Sequence, residues 1–235
     1  CIESVKNYCK KHDITHHVLT QPKLRIKPDV FATNRSKESY EKYGGYLPIY
    51  EKENAFEYID DFDQIAIIDA DIYIRPNARN IFDQMNCKCA FGAVCEREMD
   101  IQDWYKGKII NYSKMQYGLL HSNTMDFKPN ELGFEFFNMG MIVINSQIFK
   151  PYLNGQTPRQ FLERMEFKDF VDGQGAWKWS TDQTLLNYFL KKYSVPTKHI
   201  NPTFNGLFTA VNNIKECDFI HFFLKDKLPN QGEDV

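Results

Sequence analysis

The chain has no apolar run near the roughly 20 residues that a membrane span needs, and no signal-peptide pattern opens it. It also lacks a charge excess. The 29 Lys and Arg against 31 Asp and Glu leave a formal net charge of −2, which argues against bulk electrostatic binding to nucleic acid or an anionic membrane. A local basic site for a phosphorylated ligand stays open. The six cysteines, Cys1, Cys9, Cys87, Cys89, Cys95 and Cys217, include no spaced pairs of the zinc-finger kind. Cys87-Lys88-Cys89 lacks the two-residue gap, and no second pair follows. Such scattered thiols favour a cytoplasmic setting. A Golgi-lumenal or secreted setting stays open, and only there would the sequons Asn34-Arg35-Ser36 and Asn111-Tyr112-Ser113 matter. Repeats, low-complexity stretches and an interdomain linker are all missing.

An initial Met is missing too. The chain opens on a helix-like stretch, residues 1–11, followed by a strand-like stretch, residues 16–20. An α/β domain normally begins with a strand. The expectation is therefore one domain over residues 1–235 that lacks its first strand or is cut from a longer chain. His16 and His17 read as part of that early strand rather than as metal ligands.

What is present suits a globular α/β domain. The 235 residues are 43% hydrophobic and 26% charged, enough apolar material for a sizeable core. Helical patterning runs over residues 36–62, broken at Gly44-Gly45 and Pro48. Gln64-Ile65-Ala66-Ile67-Ile68 reads as a strand buried on both faces, residues 89–95 as another and residues 141–144 as a third. Residues 76–85 and 161–171 suggest helices, residues 180–192 the clearest helix, and residues 219–223 a late strand. No element is expected with confidence over residues 96–135. Strands alternating with helices predict a mixed, mostly parallel sheet with ligands at the strand C-termini.

Asp69-Ala70-Asp71 is the sharpest feature. Two carboxylates one residue apart point opposite ways in a strand, but just past a strand end the chain turns and both can converge on one hard cation. Oxygen ligands suit Mg²⁺ or Mn²⁺, particularly beside a diphosphate. The letters alone are weak, since Asp61-Phe62-Asp63 repeats them before the strand. Phe137-Asn138-Met139-Gly140 leads into residues 141–144. There Asn138 offers a donor and an acceptor for sugar hydroxyls, and Gly140 permits close backbone approach; taken alone, the motif is better read as a turn entering a core strand. Ser180 followed by Gln183 matches a helix capping box, with Asp182 at the positive end of the dipole. The same Asp182 and Gln183 could also face a ligand. His221 reads as a core histidine or as a third ligand for a transition metal such as Mn²⁺. Lys225 and Lys227 read as solvated charges or phosphate partners.

Together these motifs resemble the retaining GT-A glycosyltransferases of the glycogenin and lipopolysaccharide galactosyltransferase type (family 8). The resemblance covers residues 50–227: the strand with Asp69-Ala70-Asp71, then Phe137-Asn138-Met139-Gly140, Asp182-Gln183-Thr184-Leu185-Leu186-Asn187, Phe204-Asn205-Gly206-Leu207, and His221 six residues before Lys227. It implies a GT-A, Rossmann-like fold. It further implies a hexose moved from a nucleotide-diphosphate sugar, the UDP form, to a glycan or protein acceptor with retention. By the same resemblance Asp69, Asp71 and His221 would hold Mn²⁺ (or Mg²⁺), and Asp69, Ala70, Asp71, Asn138 and Gly140 would meet the donor. Lys227 would steady the leaving phosphate, with Lys52 as a weaker candidate. Gln183 would back the anomeric carbon and Asp182 would bind a sugar hydroxyl. The chain departs from the pattern at Leu224, where the family has glycine, and at Lys52, where many members have arginine.

Two other classes compete. A HAD-type phosphohydrolase also places Asp-x-Asp after a strand, but here Tyr73 replaces the usual Thr or Val and no downstream acidic pair is evident. A non-catalytic glycosyltransferase-like binding module would account for Leu224. Trp104, Tyr105, Tyr112 and Tyr117 are expected to be acceptor contacts or self-packed aromatics, and Trp177-Lys178-Trp179 to stack on a sugar or pack.

Overall fold

A computed structural model describes residues 1–29, 36–85, 88–117 and 129–224. Lys225, Lys227, Cys87 and the Asn34 sequon lie outside them. The strands are β1 (Gln64–Ile68), β2 (Ile72–Ile74), β3 (Phe91–Cys95), β4 (Phe137–Asn145), β5 (Thr197–His199), β6 (Gly206–Leu207) and β7 (Phe219–His221). The helices are α1 (Ile2–Lys11), α2 (Ser36–Tyr43), α3 (Asp103–Tyr117), α4 (Ser146–Leu153), α5 (Pro158–Leu162), α6 (Lys168–Asp172) and α7 (Asp182–Lys192). No described helix is long and apolar enough to cross a membrane.

The fold is α/β with a mixed sheet, in the order β1-β4-β3-β5, beside a smaller sheet in the order β2-β7-β6. Strand direction differs from expectation. β1/β4, β3/β4 and β2/β7 are antiparallel and only β3/β5 and β6/β7 are parallel, so the sheets are mixed but not mostly parallel. An all-apolar run reports burial on both faces, not direction. β4 is apolar apart from Asn138, Gly140 and Asn145 because two cores flank it: Phe137, Met139, Ile142 and Ile144 face one, Met141 and Val143 the other. β1 is an edge strand, and only Ile67 of its residues is fully buried.

The alternation along β4 slips between Met139 and Ile142. There the register against β3 jumps from Ala93↔Ile142 to Val94↔Asn138. Such a bulge bends a strand and re-aims its side chains, and bulges gather beside functional sites. On the core side, Phe56, Phe149, Phe161, Phe167 and Phe189 pack edge to face. The Arg164 guanidinium lies 4.8 Å from the Phe161 ring centroid.

Several segments differ from their patterning. Residues 16–20 form no strand; the His17 ring packs on Tyr58 and Phe62 instead. Pro48–Tyr58 is a 3₁₀ stretch, and over 76–85 only the 3₁₀ turn Ile81–Gln84 forms. The helix expected over 161–171 is split into α5 and α6. The irregular 96–135 region holds α3, whose buried face is Ile109, Ser113, Gln116 and Tyr117. That spacing is helical, but two of the four residues are polar, so no apolar stripe marked it.

Candidate active site

Asp69 stands where β1 ends, and the chain turns at once into β2 of the other sheet. The turn is pinned on three sides. The Asp69 N–H donates to the Gly140 carbonyl (2.8 Å), the Ile72 N–H to the Asp69 carbonyl (3.1 Å), and the Phe222 N–H to the Asp71 carbonyl (3.0 Å). Asp69-Ala70-Asp71 thus bridges the two sheets, with the β4 bulge on one side and the end of β7 on the other.

His221, the last residue of β7, faces Asp71 across that junction, with Nε2 3.3 Å from Oδ1. Its Nδ1 meets Asn205 Oδ1 at 3.0 Å, and Asn205 Nδ2 donates to Asn138 Oδ1 at 2.8 Å. Since the Asn205 amide spends its N–H₂ on Asn138, its oxygen accepts from His221 Nδ1–H. That leaves the Nε2 lone pair of the neutral ring aimed at a carboxylate. Two acceptors at this distance need a cation between them, either a proton or a metal. Asp71 itself is half-buried. Burial works against its charge, yet the hydrogen bond and charge of His221 outweigh that and hold it below the usual carboxylate range. Ligand atoms of Asp69, Asp71 and His221 all lie within 4.8 Å of one another.

Gly140 is required by this imidazole. A Cβ there would stand 2.3 Å from His221 Cε1 and 2.6 Å from Nδ1, so the close approach is to a side chain of β7, in the other sheet. Asn138 is committed on both ends. Its Oδ1 accepts from the Gly140 N–H (3.0 Å) and its Nδ2 donates to Glu96 Oε1 (2.9 Å).

Gln183 enters from the first turn of α7. Its Nε2 donates to the same Glu96 oxygen (3.0 Å), and its Oε1 lies 3.4 Å from the Met139 N–H. The expected capping box is not there. Thr181 is the cap, accepting from the Gln183 N–H, while Ser180 turns inward to Gln116. With capping done by Thr181, the Gln183 amide is free to face the cavity. Glu96 is the residue that patterning missed. Burial raises its carboxyl above the ordinary range, and the hydrogen bonds from Asn138 and Gln183 only partly offset this. The rule that singled out Asp69, a carboxylate just after a buried apolar strand, applies equally to Glu96 after β3.

Lys52 is placed differently from a free phosphate ligand. Its ammonium donates to the Met139 carbonyl (2.9 Å) and forms ion pairs with Asp69 Oδ1 (2.6 Å) and Asp182 Oδ2 (3.0 Å). Burial opposes its charge, but Asp182 and Asp69 outweigh this and hold its pKa above the usual lysine value. Asp182 is raised, first by burial and then by Asp69, against the pull of Lys52. Beside them Glu53 is fully buried, and among the described residues neither of its carboxylate oxygens is hydrogen-bonded. Burial and then Asp182 push it well above the ordinary range, against the pull of Lys52.

These groups surround a cavity of about 530 Å³, within the range of small-molecule sites. Lys52, Asp69, Asn138, Gly140, Asp182, Gln183 and His221 all line it. Tyr105, Lys108, Tyr112 and Phe223 form its other wall. Tyr117 is a core residue packed on Phe134 and Phe136. Trp104 is exposed beneath Lys108, and Trp177 packs on Phe170.

No protein-family model matches the chain, and no curated protein sequence does either. In three dimensions it is similar to mouse xyloside xylosyltransferase 1 in its apo form, at 14% identity over 84% of this chain and 69% of that one, TM-score 0.47. It is also similar to the galactosyltransferase LgtC in complex with donor and acceptor sugar analogues, at 16% identity over 96% and 83%, TM-score 0.48. A third such structure is a glycosyltransferase involved in glycosylating the major capsid of PBCV-1, at 10% identity over 94% and 84%, TM-score 0.42. With identities this low, the chemistry of the site is read from its own side chains.

Proposed function

We propose that this chain is a metal-dependent glycosyltransferase that moves a hexose from a nucleotide-diphosphate sugar, the UDP form, to a glycan or protein acceptor with retention. One observation carries the reading: His221 Nε2 faces the Asp71 carboxylate with Asp69 beside them, at the mouth of a polar cavity. Two carboxylates and an imidazole form a donor set that fits Mn²⁺, with Mg²⁺ as the harder alternative. Such an ion supplies Lewis-acid neutralisation of the charge that develops on a leaving diphosphate.

The remaining residues bind and orient. Asn205 fixes the His221 ring so that Nε2, not Nδ1, faces the cation position. Asp182 presents carboxylate oxygen to sugar hydroxyls, and Asn138 presents the Nδ2 proton that Glu96 leaves unused. The Gln183 amide, held by Glu96, lines the cavity where a dipole could stabilise positive charge at an anomeric carbon. Retention rests on the family resemblance. Lys227 is the proposed partner of the leaving phosphate, while Lys52 holds Asp69 and Asp182 in place.

Hydrolysis of a UDP-hexose, measured with and without Mn²⁺, tests this. The parent protein should need the ion, and Asp71→Ala should lose turnover while keeping its fold. Equal, metal-independent turnover in both would end the metal role.

One observation favours a second reading. Lys52 already neutralises Asp69, as an internal cation would, and this suits a binding module that holds a nucleotide without turnover. Calorimetry showing UDP binding, together with no turnover across a broad acceptor panel, would select it. Trapping an aspartyl-phosphate analogue on Asp69 would instead favour the phosphohydrolase.

A further inference from the structure

A second group of ligand atoms lies away from the cavity, where β3 and β5 end. Cys95 closes β3 and is fully buried. Glu98 ends the 3₁₀ turn that follows, and His199 ends β5, the parallel neighbour of β3. The Cys95 thiol, a Glu98 carboxylate oxygen and a His199 ring nitrogen all lie within 4.8 Å of one another. His199 Nδ1 contacts Glu98, and its Nε2 lies 3.7 Å from Glu135 Oε2. Glu135 is otherwise engaged by Arg97 (3.4 Å) and Lys191 (3.6 Å). Among the described residues Glu98 pairs with His199 alone.

We propose that Cys95, Glu98 and His199 form a zinc site separate from the cation site at Asp69, Asp71 and His221. The donor sets differ in softness. A thiolate and an imidazole select Zn²⁺ over Mn²⁺ and Mg²⁺, which prefer oxygen. If Nδ1 is the ligand atom, Nε2–H is left to donate to Glu135, the carboxylate–histidine pairing that usually orients a zinc-bound imidazole. On binding, the Cys95 S–H bond breaks, the sulfur lone pair forms the bond to zinc, and the proton passes to solvent. Burial, and then the charge of Glu98, push the free thiol up to about 12, so without a metal this sulfur keeps its proton.

The consequence reaches the cavity. Glu96 lies between Cys95 and Glu98 in sequence, and its carboxylate holds both Asn138 and Gln183. An ion tying Cys95 and Glu98 to β5 braces the backbone on both sides of Glu96. Zinc sites are legible in sequence as closely spaced cysteine pairs, whereas this set has one cysteine with partners up to about a hundred residues away, so spacing does not show it.

Cobalt titration followed by absorbance is the test, with Zn²⁺ as displacing ion. The parent protein should take one equivalent of Co²⁺ with a thiolate-to-metal charge-transfer band that Zn²⁺ removes and excess Mn²⁺ leaves. Cys95→Ser should abolish the band. Glu98→Gln and His199→Gln, at partly exposed positions, should fold and bind at least the roughly 10–100-fold more weakly that loss even of an outer partner causes. Absence of the band in the parent, or a band of unchanged affinity in Glu98→Gln and His199→Gln, would overturn the proposal. The readout does not depend on glycosyl transfer.

Discussion

Two regions that meet at β4 are built on opposite principles. On one side Phe56, Phe149, Phe161, Phe167 and Phe189 interlock in edge-to-face and tilted contacts, with the Arg164 guanidinium at the rim. On the other, past the bulge, runs a chain of polar side chains from Asp71 through His221, Asn205, Asn138 and Glu96 to Gln183. Beside it Lys52, Glu53, Asp69 and Asp182 crowd three carboxyls around one ammonium. Burying apolar area stabilises a fold, whereas burying charge costs stability unless every partner is met. Glu53, buried with its pKa pushed up, is a cost to stability that the aromatic side does not carry. The aromatic side is built for stability, and the polar side is where the proposed chemistry would take place.

If that division is right, substitutions should separate stability from activity. The largest effect belongs to the aromatic side. Phe161→Ala should cost about 3–5 kcal/mol in denaturant unfolding, with turnover per folded molecule little changed; a loss of activity without a loss of stability would erase the contrast. Glu96→Gln should do the reverse. It replaces a charged acceptor shared by Asn138 and Gln183, so turnover should fall by the roughly 1.5–3 kcal/mol of a charge-assisted hydrogen bond, about 10–150-fold. Its melting temperature should stay near that of the parent protein.

Gly140→Ala sharpens the boundary between the regions. The added methyl meets the His221 ring, and overpacking of this kind costs about 1–3 kcal/mol. Because the ring must shift, Mn²⁺ affinity should drop along with stability; unchanged affinity would mean that His221 is not a ligand.

The smallest effect is at Glu53 and has a sign that depends on pH. Its folded-state pKa is raised, so its contribution is fully present below the unfolded value and is lost as pH rises through the folded value. Glu53→Gln should therefore raise the melting temperature at neutral pH, and the gain should vanish in acid below the ordinary glutamate range. A destabilised variant at neutral pH would show instead that Glu53 works as a charged partner of Lys52.

Legibility from sequence followed the same division only in part. β3, β4, α7 and the turn at Asp69 were visible because each pairs an apolar run with a polar or capping signal at its end. The seven cavity residues named from motifs, Lys52 through His221, do converge. Strand direction was not visible, since β4 is apolar on both faces whichever way its neighbours run. Residues 16–20 have strand composition but find no ladder, and α3 hides behind Ser113 and Gln116 on its buried face. The link from Glu96 to Gln183 joins residues 87 apart in sequence, and no local pattern encodes such a pair.

The central claim is a divalent cation held by Asp69, Asp71 and His221, and Mn²⁺ binding followed by electron paramagnetic resonance tests it most directly. With UDP present, the free-ion signal should disappear on addition of the parent protein up to one equivalent, and should persist when Asp71→Ala is added instead. Equal loss of signal with both proteins, or with neither, would contradict the account.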